Sequence, residues 1–108
     1  IQKQNLYMKT GYEIVWSDFA LNELQNTITY LEENWTKREL RILATRLEST
    51  LSLISKNPFI FQSSEIKKDL RRVIILKHNT LYYRLKNNKI EIISLFSNRQ
   101  SPQRRKLK

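Results

Sequence analysis

The sequence predicts an α+β fold with the element order β-α-α-β-β-β, in which a helical hairpin packs on one face of a small, mainly antiparallel sheet. Three runs rich in Ile, Val, Leu, Tyr and Phe lie between Leu70 and Arg99, and such runs are typical of strands. Two stretches upstream carry apolar residues at intervals of three and four, which indicates helices. A short β-branched and aromatic run precedes them.

The first strand and the first helix are predicted to follow each other directly. Tyr12–Trp16 holds the β-branched and aromatic residues that favour a strand. Ser17 fits an N-cap, and Asp18 is favourable in the first turn beside the positive end of a helix. We expect this helix to run from about Asp18 to Asn34. Its apolar stripe consists of Leu21, Leu24, Ile28, Leu31 and Trp35.

A second helix is predicted to begin almost without a linker. Thr36 and Glu39 have the spacing of a capping box, which marks a helix start. Asn57-Pro58 ends the helix, because the residue before a proline avoids helical backbone angles. The apolar stripe of this helix consists of Leu40, Leu43, Leu47, Leu51 and Ile54. Two amphipathic helices joined so closely predict a hairpin whose apolar seam packs on the sheet.

The remaining apolar runs predict a three-strand antiparallel meander. The runs are Val73–Leu76, Leu81–Leu85 and Ile90–Phe96. A turn at Lys77–Asn79 separates the first two runs. Asn87-Asn88 lies between the last two, and Asn tolerates the positive φ angles that a hairpin turn prefers. Because arginine and lysine lie along its edges and turns, this basic sheet is the expected working surface.

The predicted strands are apolar on both faces, whereas a hairpin of two helices covers only one face. An apolar patch left over on a small protein indicates a protein partner. Alternatively, the chain itself covers the patch. In that case the cover is either Phe59–Phe61, which we expect to tuck inward, or the C-terminal tail.

The length of 108 residues suits a single domain, which we expect over residues 9–100. We expect residues 1–8 to be an extension or a tag remnant, and residues 101–108 to form a basic C-terminal tail. No apolar run approaches the roughly 20 residues of a membrane span, and no secretory signal is visible. The sequence therefore predicts no membrane association.

The sequence has no cysteine and a single histidine, His78. The lack of cysteine excludes disulfides, thiolate catalysis and cysteine-ligated metal sites. With one histidine, a zinc site of the usual kind is not expected either, and we predict that the protein uses no metal or cofactor. The lack of cysteine is also compatible with the cytoplasm, which is the compartment we predict.

The net charge of +10 lies entirely in the strand-bearing half of the chain. Residues 1–64 carry seven Lys or Arg and seven Asp or Glu, so their net charge is zero. Residues 65–108 carry thirteen basic and three acidic residues, which gives +10. Such segregation predicts a polyanionic or acidic partner, either nucleic acid or an acidic protein segment. The alternative is that the charges form a solvated face.

Cations of the predicted sheet are the candidate partner-binding residues. Arg71 and Arg72 are adjacent on a strand, so their side chains point to opposite faces and one of them is available to a partner. Arg84 either contacts an acidic partner residue or is merely exposed. Tyr82 and Tyr83 either stack on nucleic-acid bases or belong to the core. The full set of candidates is Lys67, Lys68, Arg71, Arg72, Arg84 and Arg99.

The element order and two segments resemble the RelE/ParE toxin superfamily. The segments are YEIVWSDFA from Tyr12 and LYYRLKNNKIEIISLFSNRQ from Leu81, and the resemblance covers roughly Tyr12 to Gln100. No single motif is diagnostic. The combination that carries the resemblance is Trp16-Ser17, Asn57-Pro58, the Tyr-Arg-Leu strand and Asn98-Arg99-Gln100. The resemblance implies a bacterial type II toxin that a cognate antitoxin holds inactive through an acidic or amphipathic segment.

The resemblance implies one of two activities. ParE-like toxins poison DNA gyrase, whereas RelE-like toxins cut messenger RNA in the ribosomal A site without a metal. Metal-free cleavage needs a base, cations that hold the phosphate and a proton for the leaving oxygen. If this chain is a nuclease, the candidate catalytic residues are Arg71, Arg72, His78, Tyr83 and Arg99.

The match to the nuclease branch is incomplete at two places. Thr80 stands where that branch often has Arg, and Ser101–Gln103 stands where it often has Tyr or His. Loss of acid-base groups impairs a nuclease more than a binding toxin, so we predict a ParE-like toxin that inhibits DNA gyrase. The alternatives are a ribosome-dependent mRNA endoribonuclease and a nontoxic, basic nucleic-acid-binding module, for which charge alone is the argument.

Overall fold

The computed structural model describes residues 11–98. Within this range the elements follow the predicted order. They are strand β1 (Glu13–Trp16), helix α1 (Asp18–Asn34), helix α2 (Lys37–Lys56), and strands β2 (Arg71–Leu76), β3 (Asn79–Lys86) and β4 (Lys89–Ser97). The predictions for residues 1–8, for Arg99 and for the tail at 101–108 lie outside the described residues.

Side-chain caps begin both helices at the predicted positions. The Ser17 hydroxyl accepts a hydrogen bond from the Ala20 amide at 3.0 Å. At the start of α2, Thr36 and Glu39 form a capping box, in which the Thr36 amide donates to Glu39 Oε1 at 3.1 Å. The hydrogen bond from the Thr36 side chain lowers the pKa of Glu39. These contacts satisfy amides that have no partner within the first turn of a helix.

The four strands form one mixed sheet in the order β1-β4-β3-β2. The pairs β2–β3 and β3–β4 are antiparallel, so the predicted meander is confirmed. Asn87 and Asn88 have φ angles of 54° and 63°, as the turn between β3 and β4 requires. β1 pairs in parallel with β4, from Glu13 opposite Lys89 to Trp16 opposite Ile92. A parallel pair needs a crossover connection, and the helical hairpin provides part of it.

One hydrophobic core fills the space between the helices and the sheet. The predicted stripe of α2 is confirmed, because Leu43, Leu47 and Ile54 are buried and Leu40 and Leu51 pack partly against them. Helix α1 adds Leu31, and the sheet supplies the large buried apolar side chains Ile75, Leu81, Tyr83, Ile90, Ile92 and Leu95. The two helices therefore cover one face of the sheet.

The predicted stripe of α1 is wrong at both ends. Leu31 is buried, but Leu21 is 46% exposed and Trp35 is 52% exposed. Ala20 and Thr27 are buried instead, on the face of α1 that packs against the sheet. Small side chains let a helix approach a strand closely, whereas a search for large apolar residues overlooks them.

The segment that follows α2 does not tuck inward as a whole. Phe59 is 60% exposed and Ile60 is 45% exposed, and only Phe61 packs partly against the core. A tight turn causes this outcome. The Phe59 amide donates to Asn57 Oδ1 at 3.2 Å, and the Ile60 amide donates to the Asn57 carbonyl at 3.1 Å. The prediction for Phe59 and Ile60 is therefore wrong.

A polar seam joins α1 to β4 where β1 ends. Glu23 Oε1 accepts from the Leu95 amide at 2.7 Å and from the Ser94 hydroxyl at 2.6 Å. The Ser17 hydroxyl donates to the Ile93 carbonyl at 3.2 Å. Trp16 is the last residue of β1 that pairs with β4. Beyond this point, the side chains of Ser17 and Glu23 are the hydrogen-bond partners of the β4 backbone.

A second long-range hydrogen bond ties β3 to the end of α2. Tyr83 is fully buried, and its hydroxyl donates to the carbonyl of Pro58 at 2.8 Å. Desolvation raises the pKa of the Tyr83 phenol, against a smaller opposing effect of the Arg71 charge. Tyr83 is therefore a core residue that fixes the start of the loop between α2 and β2.

Substitution Glu23→Ala is expected to destabilise the protein by about 1.5–3 kcal/mol, the usual worth of a hydrogen bond to a charged group. The physical reason is that the Leu95 amide loses its acceptor. The measurement is the free energy of unfolding from urea titration. Glu32→Ala, on the exposed last turn of α1, is the matched control and should change stability by less than about 0.5 kcal/mol. Equal losses in both variants would contradict the role of Glu23.

Alkaline pH is expected to destabilise the wild type more than the Tyr83→Phe variant. Because the folded-state pKa of Tyr83 is raised above 10.0, the folded protein keeps this proton after the unfolded chain has released it. The associated stability is complete below about pH 10 and is lost as the pH rises through the folded-state pKa. Urea titrations between about pH 9 and pH 11 measure the difference. Tyr82→Phe should follow the wild type, and identical pH profiles for all three proteins would refute the assignment.

Candidate functional site

The register of the sheet distributes the predicted cations over its two faces. Arg71 lies opposite Tyr83, and Arg72 lies opposite Tyr82. Directly opposed residues share a face, so Arg71 lies on the helix side with the buried Tyr83. Arg72 lies on the side turned away from the helices, which we call the outer face. Arg84 also belongs to the outer face, since residues alternate along β3.

Arg71 holds the loop that precedes β2. Its Nη1 donates to the Phe61 carbonyl at 2.7 Å. Its guanidinium also lies over the ring of Phe59, 5.0 Å from the centroid, in a cation–π contact. Arg71, which the sequence suggests as a residue that holds phosphate, is therefore engaged with its own chain.

Arg84 is neutralised by two carboxylates. Its Nε donates to Glu91 Oε1 at 2.7 Å, and its Nη1 lies 3.6 Å from Asp69 Oδ2. The hydrogen bond to Glu91 and the charges of both carboxylates raise the pKa of Arg84. The guanidinium joins β3 to β4 and to the loop before β2, which leaves it little capacity to bind a further anion.

His78 lies in the turn between β2 and β3 and contacts the end of β4. Its Nδ1 is 2.9 Å from Asn98 Oδ1, and the backbone amide of Asn98 donates to the backbone carbonyl of His78 at 3.0 Å. The pair therefore fixes the point at which the chain leaves the sheet. Arg99, the next residue and a candidate for both kinds of site, lies outside the described part of the chain.

The side chains of three predicted cations have no ion pair, hydrogen bond or cation–π contact among residues 11–98. Lys67 and Lys68 are exposed in the loop between α2 and β2, and Arg72 is half-buried on the outer face. Their charges are not balanced by a neighbouring carboxylate within that range. Of the predicted partner-binding set, these side chains are the ones available to an anionic partner.

The described members of the candidate catalytic set do not share one surface. Arg71 and Tyr83 are cross-strand neighbours on the helix side, where Tyr83 is fully buried. Arg72 lies on the outer face, and His78 lies beyond the end of β2. A reacting phosphate would need the acid, the base and the clamp around one point. Tyr83 in particular is placed to support the core and not to contact a substrate.

The outer face carries a row of apolar side chains, as expected for strands that are apolar on both faces. Ile74 lies opposite Thr80, and Thr80 lies opposite Phe96, so the three side chains cross the sheet in one line. Ile74 is 60% exposed and Phe96 is 44% exposed. The segment at residues 59–61 leaves this row open. An uncovered apolar row on a small domain is typical of a protein-binding surface.

A second apolar surface, which the sequence did not indicate, lies between the helices. It is a groove of about 480 Å³ with a predominantly apolar lining. Its lining includes Leu24, Ile28, Leu40, Ala44, Glu48 and Leu51. The sequence predicts that both helical stripes pack in the core, but several of their leucines are only partly buried and form the floor of this groove. The only sign of such a groove in the sequence is the width of the apolar stripe on each helix. A wide stripe does not tell which of its residues lie in the core and which line a groove.

The described residues show neither a metal cluster nor a membrane span. No group of three or more His, Asp or Glu side chains within residues 11–98 is placed to hold a metal ion. Neither α1 nor α2 is both long enough and apolar enough to pass through a bilayer. The surfaces described above are therefore the candidate functional features of this range.

Solved structures of bacterial toxins share this fold. The chromosomal ParDE system of P. aeruginosa matches with a TM-score of 0.64 at 14% identity, over 82% of this chain and 97% of the other. A YoeB/ParE toxin from Agrobacterium tumefaciens matches with a TM-score of 0.59 at 10% identity, over 79% and 96%. The E. coli DinJ–YafQ toxin–antitoxin complex matches with a TM-score of 0.56 at 10% identity, over 82% and 93%.

Sequence comparison assigns the family. No curated protein sequence matches the chain. The family model for the ParE toxin of the type II toxin–antitoxin system parDE matches residues 14–102, which is most of the chain. This match confirms the resemblance to the RelE/ParE superfamily. The resemblance rested on the first strand, the helix boundaries and the meander. The chain belongs to the ParE toxin family of type II toxin–antitoxin systems.

Proposed function

We propose that the protein acts as a ParE-like toxin that inhibits DNA gyrase and that a cognate antitoxin neutralises it. The observation that carries the choice between the two branches is the engagement of the candidate nuclease groups with their own chain. Arg71 binds the Phe61 carbonyl, and the Tyr83 hydroxyl is buried against Pro58. A toxin that works by binding does not need these groups to be free.

Two uncovered apolar surfaces support a protein partner. The groove between α1 and α2 has the shape and lining that suit the apolar face of an amphipathic helix. The row of Ile74, Thr80 and Phe96 offers a second contact area on the outer face. One of the proteins that share this fold, the E. coli DinJ–YafQ complex, is itself a toxin–antitoxin complex. We assign the helical groove to the antitoxin.

Purified toxin is expected to inhibit gyrase-catalysed supercoiling of relaxed plasmid DNA. The measurement is the conversion of relaxed to supercoiled plasmid at increasing toxin concentration, with heat-denatured toxin as the control. In parallel, primer extension on translated messages after induction is expected to show no new ends at A-site codons. Unimpaired supercoiling at a large excess of toxin would reject the proposal, and A-site cuts would favour the endoribonuclease alternative.

Substitution Ala44→Arg is expected to weaken antitoxin binding by at least about tenfold, because it places a charge in the apolar groove. The antitoxin is supplied by the reading frame next to the toxin gene, and affinity is measured by calorimetry. Ser49→Arg is the matched control, since Ser49 is exposed on the same helix and does not line the groove. Gyrase inhibition should persist in both variants.

Equal affinity of the wild type and Ala44→Arg for the antitoxin would place the antitoxin elsewhere on the toxin. Loss of binding in both variants would mean that added positive charge, and not the groove, is responsible. Circular dichroism should show unchanged helix content, because arginine has a high helix propensity.

A further inference from the structure

The two helices carry charges of opposite sign, although residues 1–64 as a whole have no net charge. Helix α1 contains four Asp or Glu and no Lys or Arg. Helix α2 contains five Lys or Arg and two Glu. Helix α2 is therefore a second basic element, separate from the strand-bearing half of the chain.

Three arginines of α2 lie on the side of the helix that faces away from the core. Their spacing of three and five residues places them on one broad helical face, opposite the buried leucines of the same helix. A depression of about 520 Å³ lies on this face. It shares no lining residue with the apolar groove between the helices. We call this surface the arginine face, and it consists of Arg38, Arg41, Ile42, Thr45 and Arg46.

No carboxylate among residues 11–98 pairs with the arginine face. Arg38 and Arg41 are exposed and take part in none of the ion pairs of this range. The two acidic residues of α2 are placed elsewhere. Glu39 binds Thr36 in the capping box, and Glu48 lines the apolar groove. The positive charge of the face is therefore available to an external anion.

The stability of α2 does not account for cations at its beginning. Lys37 and Arg38 lie in the first turn, beside the positive end of the helix dipole, where a positive charge is unfavourable. Neither side chain forms an ion pair with Glu32 or Glu33 in the last turn of α1. A charge arrangement that costs helix stability and has no ion-pair partner in the described chain indicates an external ligand.

The fold holds the third arginine of this face in place. Arg46 Nη1 donates to the Ile75 carbonyl at 3.3 Å, which joins α2 to the end of β2. This bond uses one of the five N–H donors of the guanidinium, so the others remain available to a ligand. Lys77 is exposed two residues after Ile75 and adds a further cation beside the arginine face.

The residue types of the arginine face suit the backbone of duplex DNA. The hydroxyls of Thr45 and Ser49 lie among the arginines, and both kinds of side chain are usual donors to phosphate oxygens. Helix α2 has no aromatic residue, whereas single strands are bound by stacking on aromatic side chains and protein interfaces are anchored by them. From Arg38 to Arg46 the helix spans about 12 Å. A duplex carries about one negative charge per 1.7 Å, so that length offers several phosphates.

We propose that the arginine face of α2 binds the phosphate backbone of duplex DNA without regard to base sequence. Arg38, Arg41 and Arg46 pair with phosphate oxygens, and the Thr45 hydroxyl donates to a phosphate beside them. The surface is separate from the outer face of the sheet and from the apolar groove. The proposal therefore rests neither on gyrase inhibition nor on antitoxin binding.

A fluorescein-labelled duplex of about 20 base pairs and arbitrary sequence tests the proposal. Its affinity for the full-length protein is measured by fluorescence anisotropy between about 50 and 200 mM KCl. The double variant Arg38→Gln/Arg41→Gln should weaken binding about tenfold and lower the slope of log K against log salt by about 1.8, since each lost phosphate contact contributes about 0.9. Both positions are exposed, and glutamine is a good helix former, so the variant should fold.

The matched control is the double variant Lys86→Gln/Lys89→Gln. It removes the same charge from exposed positions at the turn between β3 and β4, at the end of the sheet away from Ile75. This control should lower the salt slope by less than half as much. The variant Arg38→Lys/Arg41→Lys keeps the charge and should retain most of the slope of the wild type.

Three results would overturn the proposal. Equal losses in the two glutamine double variants would indicate attraction by total charge and not by the arginine face. Tighter binding of a single-stranded oligonucleotide of the same length, weakened by the Arg38→Gln/Arg41→Gln variant, would assign the face to single strands. Tighter binding of polyglutamate than of the duplex, with the same dependence on these arginines, would make an acidic protein the partner.

Discussion

Two helices cover only one face of a four-stranded sheet, and this geometric limit governs every other surface of the molecule. The core side of the sheet is covered by Leu43, Leu47 and Ile54 of α2 and by Ala20, Thr27 and Leu31 of α1. The outer face has no second layer in the described range. An apolar row therefore stays exposed, and the domain presents it together with unpaired cations.

The cations of the strand-bearing half divide into two groups with different roles. Arg71 and Arg84 act within the fold, since one holds the loop at Phe59 and the other joins Asp69 to Glu91. Lys67, Lys68 and Arg72 face a potential partner without a local counterion. The number of cations available to a partner is therefore smaller than the net charge suggests, because some arginines are engaged within the fold. This division is the basis on which we proposed a toxin that acts by binding.

Features that depend on local chemistry were predictable from the sequence. Ser17 and the Thr36–Glu39 box set the helix starts through contacts within four residues, and Asn87-Asn88 sets the last hairpin through its own φ angles. The element order and the meander followed from these signals and from strand composition. The family resemblance rested on the same segments, and the family match over residues 14–102 confirms it.

Features that depend on tertiary contacts were not predictable. Helix α1 turns Ala20 and Thr27 toward the sheet, and both are buried. The positions of the large apolar residues in the sequence do not predict this orientation. The ion pairs of Arg84 join residues 69, 84 and 91, and the bond from Tyr83 to Pro58 spans 25 positions. Periodicity does not report which strands form the edges of the sheet, so the edge positions of β1 and β2 are known only from the strand order.

Amide hydrogen exchange of Ile74 in the free toxin tests the central claim, an incompletely covered sheet, most directly. Val73 is the internal reference, because its amide faces β3 and should exchange slowly. The account predicts much faster exchange at Ile74 than at Val73. Equally slow exchange at both amides in the free monomer would show that the chain itself closes the β2 edge of the sheet and would contradict the account.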